Sequence, residues 1–255
     1  MLRVEHLSKS FGGVRATRDV SIDFPDGSLT AIIGPNGAGK TTFFNLISGH
    51  IRPDAGRVLF DGADLVGLSS LEVVRRGMTR AFQVASLFPT LTVEEALAAA
   101  VASRRRQSWR VLARFPLPDA RARVEEVMEL MGLSGQARVL SRNLSHGDQK
   151  LLDIGLALAL EPKVLLLDEP TAGMGPDERW RMIGRVQRLW ELKRMTVLFI
   201  EHDMDIVFRI AQAVHVLKYG AVLAQGTPDE IRRNPDVIDA YLGTDHQLSA
   251  AFGEA

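Results

Sequence analysis

The chain has 255 residues, of which 46% are hydrophobic and 24% charged, a globular balance that excludes a disordered chain. Its 31 Lys plus Arg equal its 31 Asp plus Glu, so no net field draws it to nucleic acid or to an anionic bilayer. It has no cysteine, which excludes disulfides, thiolate metal sites and a cysteine nucleophile.

The start, MLRVEHLSKSF, carries charges where a signal peptide needs an apolar core. LRVEHLSKSF and RDVSIDF alternate in the manner of half-buried strands, with GG and PDG as turns. LTAII (29–33) reads as a buried strand running into GPNGAGKTT and the apolar FFNLISG, and RVLFDG as a further short strand. Over 92–160 the pattern is mostly helical: TVEEALAAAVA, then ARARVEEVMELMGL, then the segment after Ser145. The longest apolar runs, such as ALAAAVA, fall far short of the roughly 20 residues that span a bilayer. The basic run ASRRRQSWRVLARF (102–115) is read as a solvated face rather than a nucleic-acid patch, since the chain has no net charge and no nucleic-acid motif. KVLLLDE, a helix over 176–193, TVLFIE, a helix over 204–211 and VHVLKYG complete the pattern. Such alternation predicts an α/β fold with a mainly parallel core sheet, helices on both faces, an N-terminal antiparallel β portion and a helical insertion. A soluble cytoplasmic chain is expected, with any membrane attachment left to a partner.

GPNGAGKT (34–41) places the fixed residues of G-x-x-x-x-G-K-[ST] between a predicted strand and a predicted helix. Its glycines let successive backbone N–H groups aim at phosphate oxygens, and the helix N-terminus adds its dipole. Lys40 is placed to bridge the β- and γ-phosphates and the Thr41 hydroxyl to ligate Mg²⁺. In KVLLLDEP (163–170) a buried strand ends in two carboxylates, at the edge where α/β sheets bind ligands. Asp168 is expected in the Mg²⁺ shell, and Glu169 is expected to orient or deprotonate an attacking water. The chain has no N-K-x-D guanine-reading motif, so ATP is the expected nucleotide.

NLSHGDQK (143–150) sets a Ser beside a His ahead of an apolar helix. Neighbours i and i+1 do not face each other on a helix, so the two do not form a catalytic pair. Ser145 reads instead as an N-cap, with Gly147, Asp148 and Gln149 in a first turn whose N–H groups suit an anion. Gln83 lies between the phosphate loop and the helical insertion. His202 follows TVLFI, at the edge where a γ-phosphate would sit, and Phe11 follows the first strand, in position to stack on a base.

GPNGAGKTT, Gln83, LSHGD, VLLLDEP and His202, in this order and over nearly the whole length, resemble the nucleotide-binding subunit of an ABC transporter. The resemblance implies one P-loop NTPase domain of the ABC ATPase type over 1–255, with a nucleotide-binding core at 1–84 and 160–255 and a helical subdomain at 85–159. It implies ATP held by Phe11, Gly34, Pro35, Asn36, Gly37, Ala38, Gly39, Lys40, Thr41 and Thr42. Mg²⁺ would be held by Thr41, Gln83 and Asp168, with Glu169, His202 and Gln83 serving hydrolysis. It makes LSHGD the signature motif, acting in trans: two copies, or this chain and a similar one, pair head to tail, and Ser145 and the Gly147 amide meet the γ-phosphate on the partner's phosphate loop. His146, Asp148 and Gly175 depart from the family's usual Gly, Gln and Asp. A carboxylate at 148 repels that phosphate unless it turns away as a helix N-terminal acid.

LSHG, DEPTAGM, IEHDMD and GTPDEIRRNPDVIDAYLG look like the ATPase subunits of branched-chain amino acid importers, and urea and short-chain amide importers carry similar text. This implies multi-span membrane permeases as partners, a substrate-binding protein reached through them, no nucleic acid, and a peripheral place on the inner face of the cell membrane. ASLFPTLTVEEAL (85–97) matches the family's docking surface for the membrane subunit, with Leu87, Phe88 and Pro89 as candidates against a buried-core role. A soluble ABC protein serving ribosomes or DNA repair is the rival. Such chains carry two cassettes or a long coiled-coil arm, and this one has neither.

Overall fold

A computed structural model describes residues 1–81, 88–104 and 120–242, and the chain divides into two compact units, residues 1–73 with 194–255 and residues 74–193. The predicted α/β fold is borne out in the element order and pairing of both units.

In the first unit, β1 (Leu2–Phe11) and β2 (Val14–Phe24) form the antiparallel start of the chain, with Leu2 opposite Phe24 and Val4 opposite Ile22. Period-two alternation sends Leu2, Val4, Val20, Ile22 and Phe24 inward. The outer face keeps ions such as Arg3 Nε to Asp23 Oδ1 at 2.7 Å, a surface pair worth less than about 1 kcal/mol. β3 (Leu29–Ile33) is buried at every residue and leads through a loop to α1 (Lys40–Ile47). β4 (Ala55–Phe60) and β5 (Ala63–Asp64) extend the antiparallel sheet from the other edge of β1. α2 (Ser70–Arg76) then passes from the first unit's residues to the second's.

The second unit opens with β6 (Met78–Ala81) and the bundle helices α3 (Val93–Arg104), α4 (Arg121–Met131) and α5 (His146–Ala159). β7 (Val164–Asp168) lies parallel to β6, with Ala81 opposite Leu167. α6 (Pro176–Lys193) follows. From Lys150 to Ala159 every residue of α5 is buried, all of them apolar or glycine except Lys150 and Asp153. Gly155 admits its neighbours: a Cβ there would stand 3.3 Å from Val127 Cγ1 of α4 and 3.4 Å from Leu97 Cδ2 of α3.

The chain returns to the first unit with β8 (Thr196–Ile200) and, after α7 (Met204–Ile210), β9 (Ala213–Lys218), both parallel to β3. β10 (Ala221–Gly226) runs antiparallel to β9. The short helices α8 (Pro228–Arg232) and α9 (Pro235–Leu242) end the described chain. Thr227 and Glu230 close a capping box on α8. No helix among the described residues is long and apolar enough to cross a membrane.

Candidate nucleotide site

The phosphate loop lies between β3 and α1, as its motif requires. Two of its glycines leave no room for a side chain. A Cβ on Gly34 would stand 2.1 Å from the Leu217 carbonyl oxygen, and one on Gly39 2.2 Å from that of Ala16. Both have positive φ, 150° and 101°, a region costly for other residues. The turn after β9 braces the loop, since Gly220 N–H donates to Ala38 O at 3.0 Å and Arg18 N–H to Gly220 O at 2.6 Å. Behind it, burial raises the pKa of the Tyr241 hydroxyl of α9, which faces the Gly34 backbone.

Lys40 is buried, and its ammonium donates to Gly34 O at 2.6 Å and Pro35 O at 3.2 Å. The cation is thus held against its own loop. Asn36, Gly37 and Thr41 are exposed, and Pro35 and Thr42 half-buried. Phe11 is 48% exposed at the end of β1, with the Lys9 ammonium 5.6 Å from its ring centre. His202, also in this unit, is exposed between β8 and α7 and donates its N–H to the buried Glu201 at 3.2 Å.

The second unit holds the paired carboxylates. Asp168 ends β7 and is buried, and its Oδ2 accepts from Arg80 on β6. Its Oδ1 is buried with no hydrogen-bond partner among the described residues. Sequence reading missed Arg80, which stands one strand away and 88 residues earlier. Glu169 follows at φ 49°, a left-handed backbone for a non-glycine residue, costing on the order of 1 kcal/mol. Asp153 of α5, Asp168 and Glu169 line a cavity of about 20 Å³, the size of one water. Burial pushes the Asp153 carboxyl up to about 7, against the pull of Lys150.

Ser145 is the N-cap of α5, as expected, in extended backbone and with Oγ accepting from Asp148 N–H at 3.1 Å. The Asp148 carboxylate turns back onto the cap: its Oδ2 accepts from Ser145 Oγ at 2.9 Å and from Gln136 Nε2 at 3.1 Å. It is therefore a first-turn acid that favours the helix dipole. His146 packs on the loop after β7, its Cε1 3.3 Å from where a Cβ on Gly173 would stand. Gly175 accepts from Arg179 N–H at 3.0 Å and so starts α6.

Phe11, the phosphate loop and His202 thus belong to the first unit, and Ser145, Gly147, Asp168 and Glu169 to the second. Gln83 and Leu87 lie outside the described residues. Phe88 and Pro89 are exposed, so the buried-core role weighed for them does not hold. Among the described residues no group of three or more His, Cys, Asp or Glu side chains is built to hold a metal. Asp168 Oδ1, buried without a hydrogen-bond partner among those residues, suits a Mg²⁺ bound by one or two side chains together with substrate phosphates.

A phosphate loop, paired acids after a buried strand and a serine-capped helix start on one α/β chain are the parts of an ATP-binding cassette. The chain belongs to the ABC transporter family as one of its ATP-hydrolysing cassettes: the model of that family, described as ABC transporter, matches residues 17–172. A second model, described as branched-chain amino acid ATP-binding cassette transporter, matches residues 221–247. The high-affinity branched-chain amino acid transport ATP-binding protein LivG of Salmonella typhimurium is 37% identical, covering 95% of this chain and 98% of its own length. Among solved structures, the ADP conformation of an ATP-binding cassette of an ABC transporter matches with a TM-score of 0.84 and 31% identity, over 95% of this chain and 98% of that one. A dimeric bacterial ABC transporter cassette matches with a TM-score of 0.76 and 25% identity, over 89% and 99%.

Proposed function

We propose that this chain powers an importer of branched-chain amino acids by binding and hydrolysing ATP at the inner face of the cell membrane. The observation that carries the chemistry is the pair Asp168–Glu169 at the end of a buried strand, with one Asp168 oxygen fixed by Arg80 and the other buried without a hydrogen-bond partner among the described residues. The substrate class is supported by the family match over 221–247 and by the likeness to LivG. ATP is held by Phe11 and residues 34–42. Lys40 exchanges its two loop carbonyls for phosphate oxygens. Glu169 orients or deprotonates the water, with His202 and Gln83 at the γ-phosphate. Thr41, Asp168 and Gln83 hold Mg²⁺, which when bound offsets the negative charge of the phosphates. We take 1–84 with 160–255 as the nucleotide-binding core and 85–159 as the helical subdomain.

Two cassettes, two copies of this chain or this chain with a similar one, pair head to tail, so that Ser145 and Gly147 meet the partner's nucleotide. The likeness to a dimeric cassette supports this pairing. Multi-span permeases dock on the segment 85–97, where Phe88 and Pro89 are exposed, and a substrate-binding protein delivers cargo to them.

Replacing the base tests the reading. Glu169→Gln is expected to keep ATP affinity and lose at least about 100-fold in turnover. Cells carrying it should lose uptake of labelled leucine. Normal turnover would remove Glu169 from the mechanism. Normal leucine uptake with loss of urea or acetamide uptake would move the cargo to those amides.

A further inference from the structure

Lys150 lies on α5 five residues after the Ser145 cap and is buried. Its ammonium donates to two backbone carbonyls, Glu169 O at 3.1 Å and Ala172 O at 2.7 Å. These carbonyls bound the turn that follows β7, which is closed on itself by Ala172 N–H to Glu169 O at 3.2 Å. Glu169 is the residue of that turn with left-handed backbone, so its conformation needs support from its surroundings. A buried cation on two carbonyl oxygens is such support, because charge-assisted bonds are the stronger ones.

The same helix carries Ser145 and Gly147 at its N-terminal end, about 7–8 Å and about 4–5 Å from Lys150 at 1.5 Å per residue. The turn between them is regular α-helix, and from Lys150 onward the helix is buried on every side. A displacement at the cap is therefore delivered to the Glu169 backbone through the Lys150 ammonium.

We propose that Lys150 is a positioning residue that couples the signature end of α5 to Glu169. When Ser145 and Gly147 engage the partner's nucleotide, α5 shifts and Lys150 sets the turn that aims the Glu169 carboxylate. Each cassette then hydrolyses its own ATP faster when its signature is engaged on the other's nucleotide. The proposal rests on the reading of Glu169 as base and Ser145 as signature serine.

The experiment compares ATP turnover of the purified full chain with Lys150→Met, which keeps the stem and loses the donors, and Lys150→Arg, which keeps donors. Lys150→Met is expected to lower kcat at least tenfold with KM and the affinity for a fluorescent ATP analogue within twofold. Lys150→Arg should recover most of that loss. Lys150→Met/Glu169→Gln should turn over no more slowly than Glu169→Gln alone, since residues acting as a unit are not additive. An unchanged kcat in Lys150→Met, a KM that rises as kcat falls, or a further tenfold loss in the double variant would overturn the proposal. If Lys150→Met does not fold, Lys150→Arg and Lys150→Gln carry the same comparison. Glu169→Gln alone separates the two readings: full turnover there rejects the base itself, whereas its loss together with a silent Lys150→Met rejects only the coupling.

Discussion

Arg80 shows how one side chain prepares another. With one oxygen tied to the guanidinium, Asp168 is fixed in rotamer, and the other oxygen stays buried without a hydrogen-bond partner among the described residues. Arg80→Gln is expected to raise the Mg²⁺ concentration for half-maximal ATPase several-fold while metal-free nucleotide binding holds. A Mg²⁺ titration of both chains checks this, and an unshifted midpoint removes the role. The glycines of the phosphate loop make a second contrast. Gly34→Ala drives a methyl into the Leu217 carbonyl, whereas a Cβ on Gly37 meets nothing within 4 Å. Gly34→Ala should therefore lose about 3 kcal/mol or more of stability, and Gly37→Ala, strained only by its φ, about 1. Urea denaturation of the two variants decides it. The phosphate loop and the paired acids were legible because their chemistry forces fixed residues into short spacings. Arg80 and Lys150 were not, because each partner lies on another element, and nothing local in MTRA or DQKLL announces the pairing.

Among the elements, the ones read correctly are those whose burial leaves either a period or an uninterrupted apolar run. α6 was bounded from its apolar spacing, and β3, β7 and β8 from uninterrupted apolar runs. β6, β10, α8 and α9 went unread, being four to eight residues long, too short for a period to separate helix from strand. The pairing of β9 and β10 gives a pH-dependent term that no motif suggests. His215 is buried on β9 opposite Gln225, its ring edge-on to Phe24 at 5.5 Å. Burial lowers its pKa from 6.5 to about 4, partly countered by a hydrogen bond with Gln225. Between these values the unfolded chain takes up a proton that the folded chain refuses. The stability from neutral His215 is thus complete above pH 6.5 and lost as pH falls toward 4. The whole term is on the order of 3 kcal/mol. The stability of wild type minus that of His215→Gln, from denaturant unfolding, should fall by this amount across the window. A flat difference would mean the ring is already charged or solvated when folded.

At the scale of the assembly the question is what Ser145 does with its proton. In the single chain the hydroxyl donates to Asp148, which Gln136 also holds, so the departure from the usual glutamine satisfies the cap from within. On the proposed head-to-tail pairing, a γ-phosphate arriving from a partner would compete with Asp148 for the Ser145 hydroxyl and meet the exposed end of α5, where helix N–H groups favour an anion. A symmetric head-to-tail pair then contains two composite sites, each with Lys40 from one copy and Ser145 from the other. Removing each element from a different chain separates this from a site built within one copy. Ser145→Arg alone spoils both sites of its dimer, as does Lys40→Ala alone. In a mixed pair, the Lys40 of the first variant faces the Ser145 of the second, and one whole site returns. Random pairing of equal amounts restores about a quarter of the wild-type sites. ATPase in the mixture should therefore exceed that of either variant alone and vary with the mixing ratio, greatest near equality. A mixture no more active than its parents at any ratio would show that Ser145 does not serve a partner's nucleotide. The signature would then be only the cap of a buried helix.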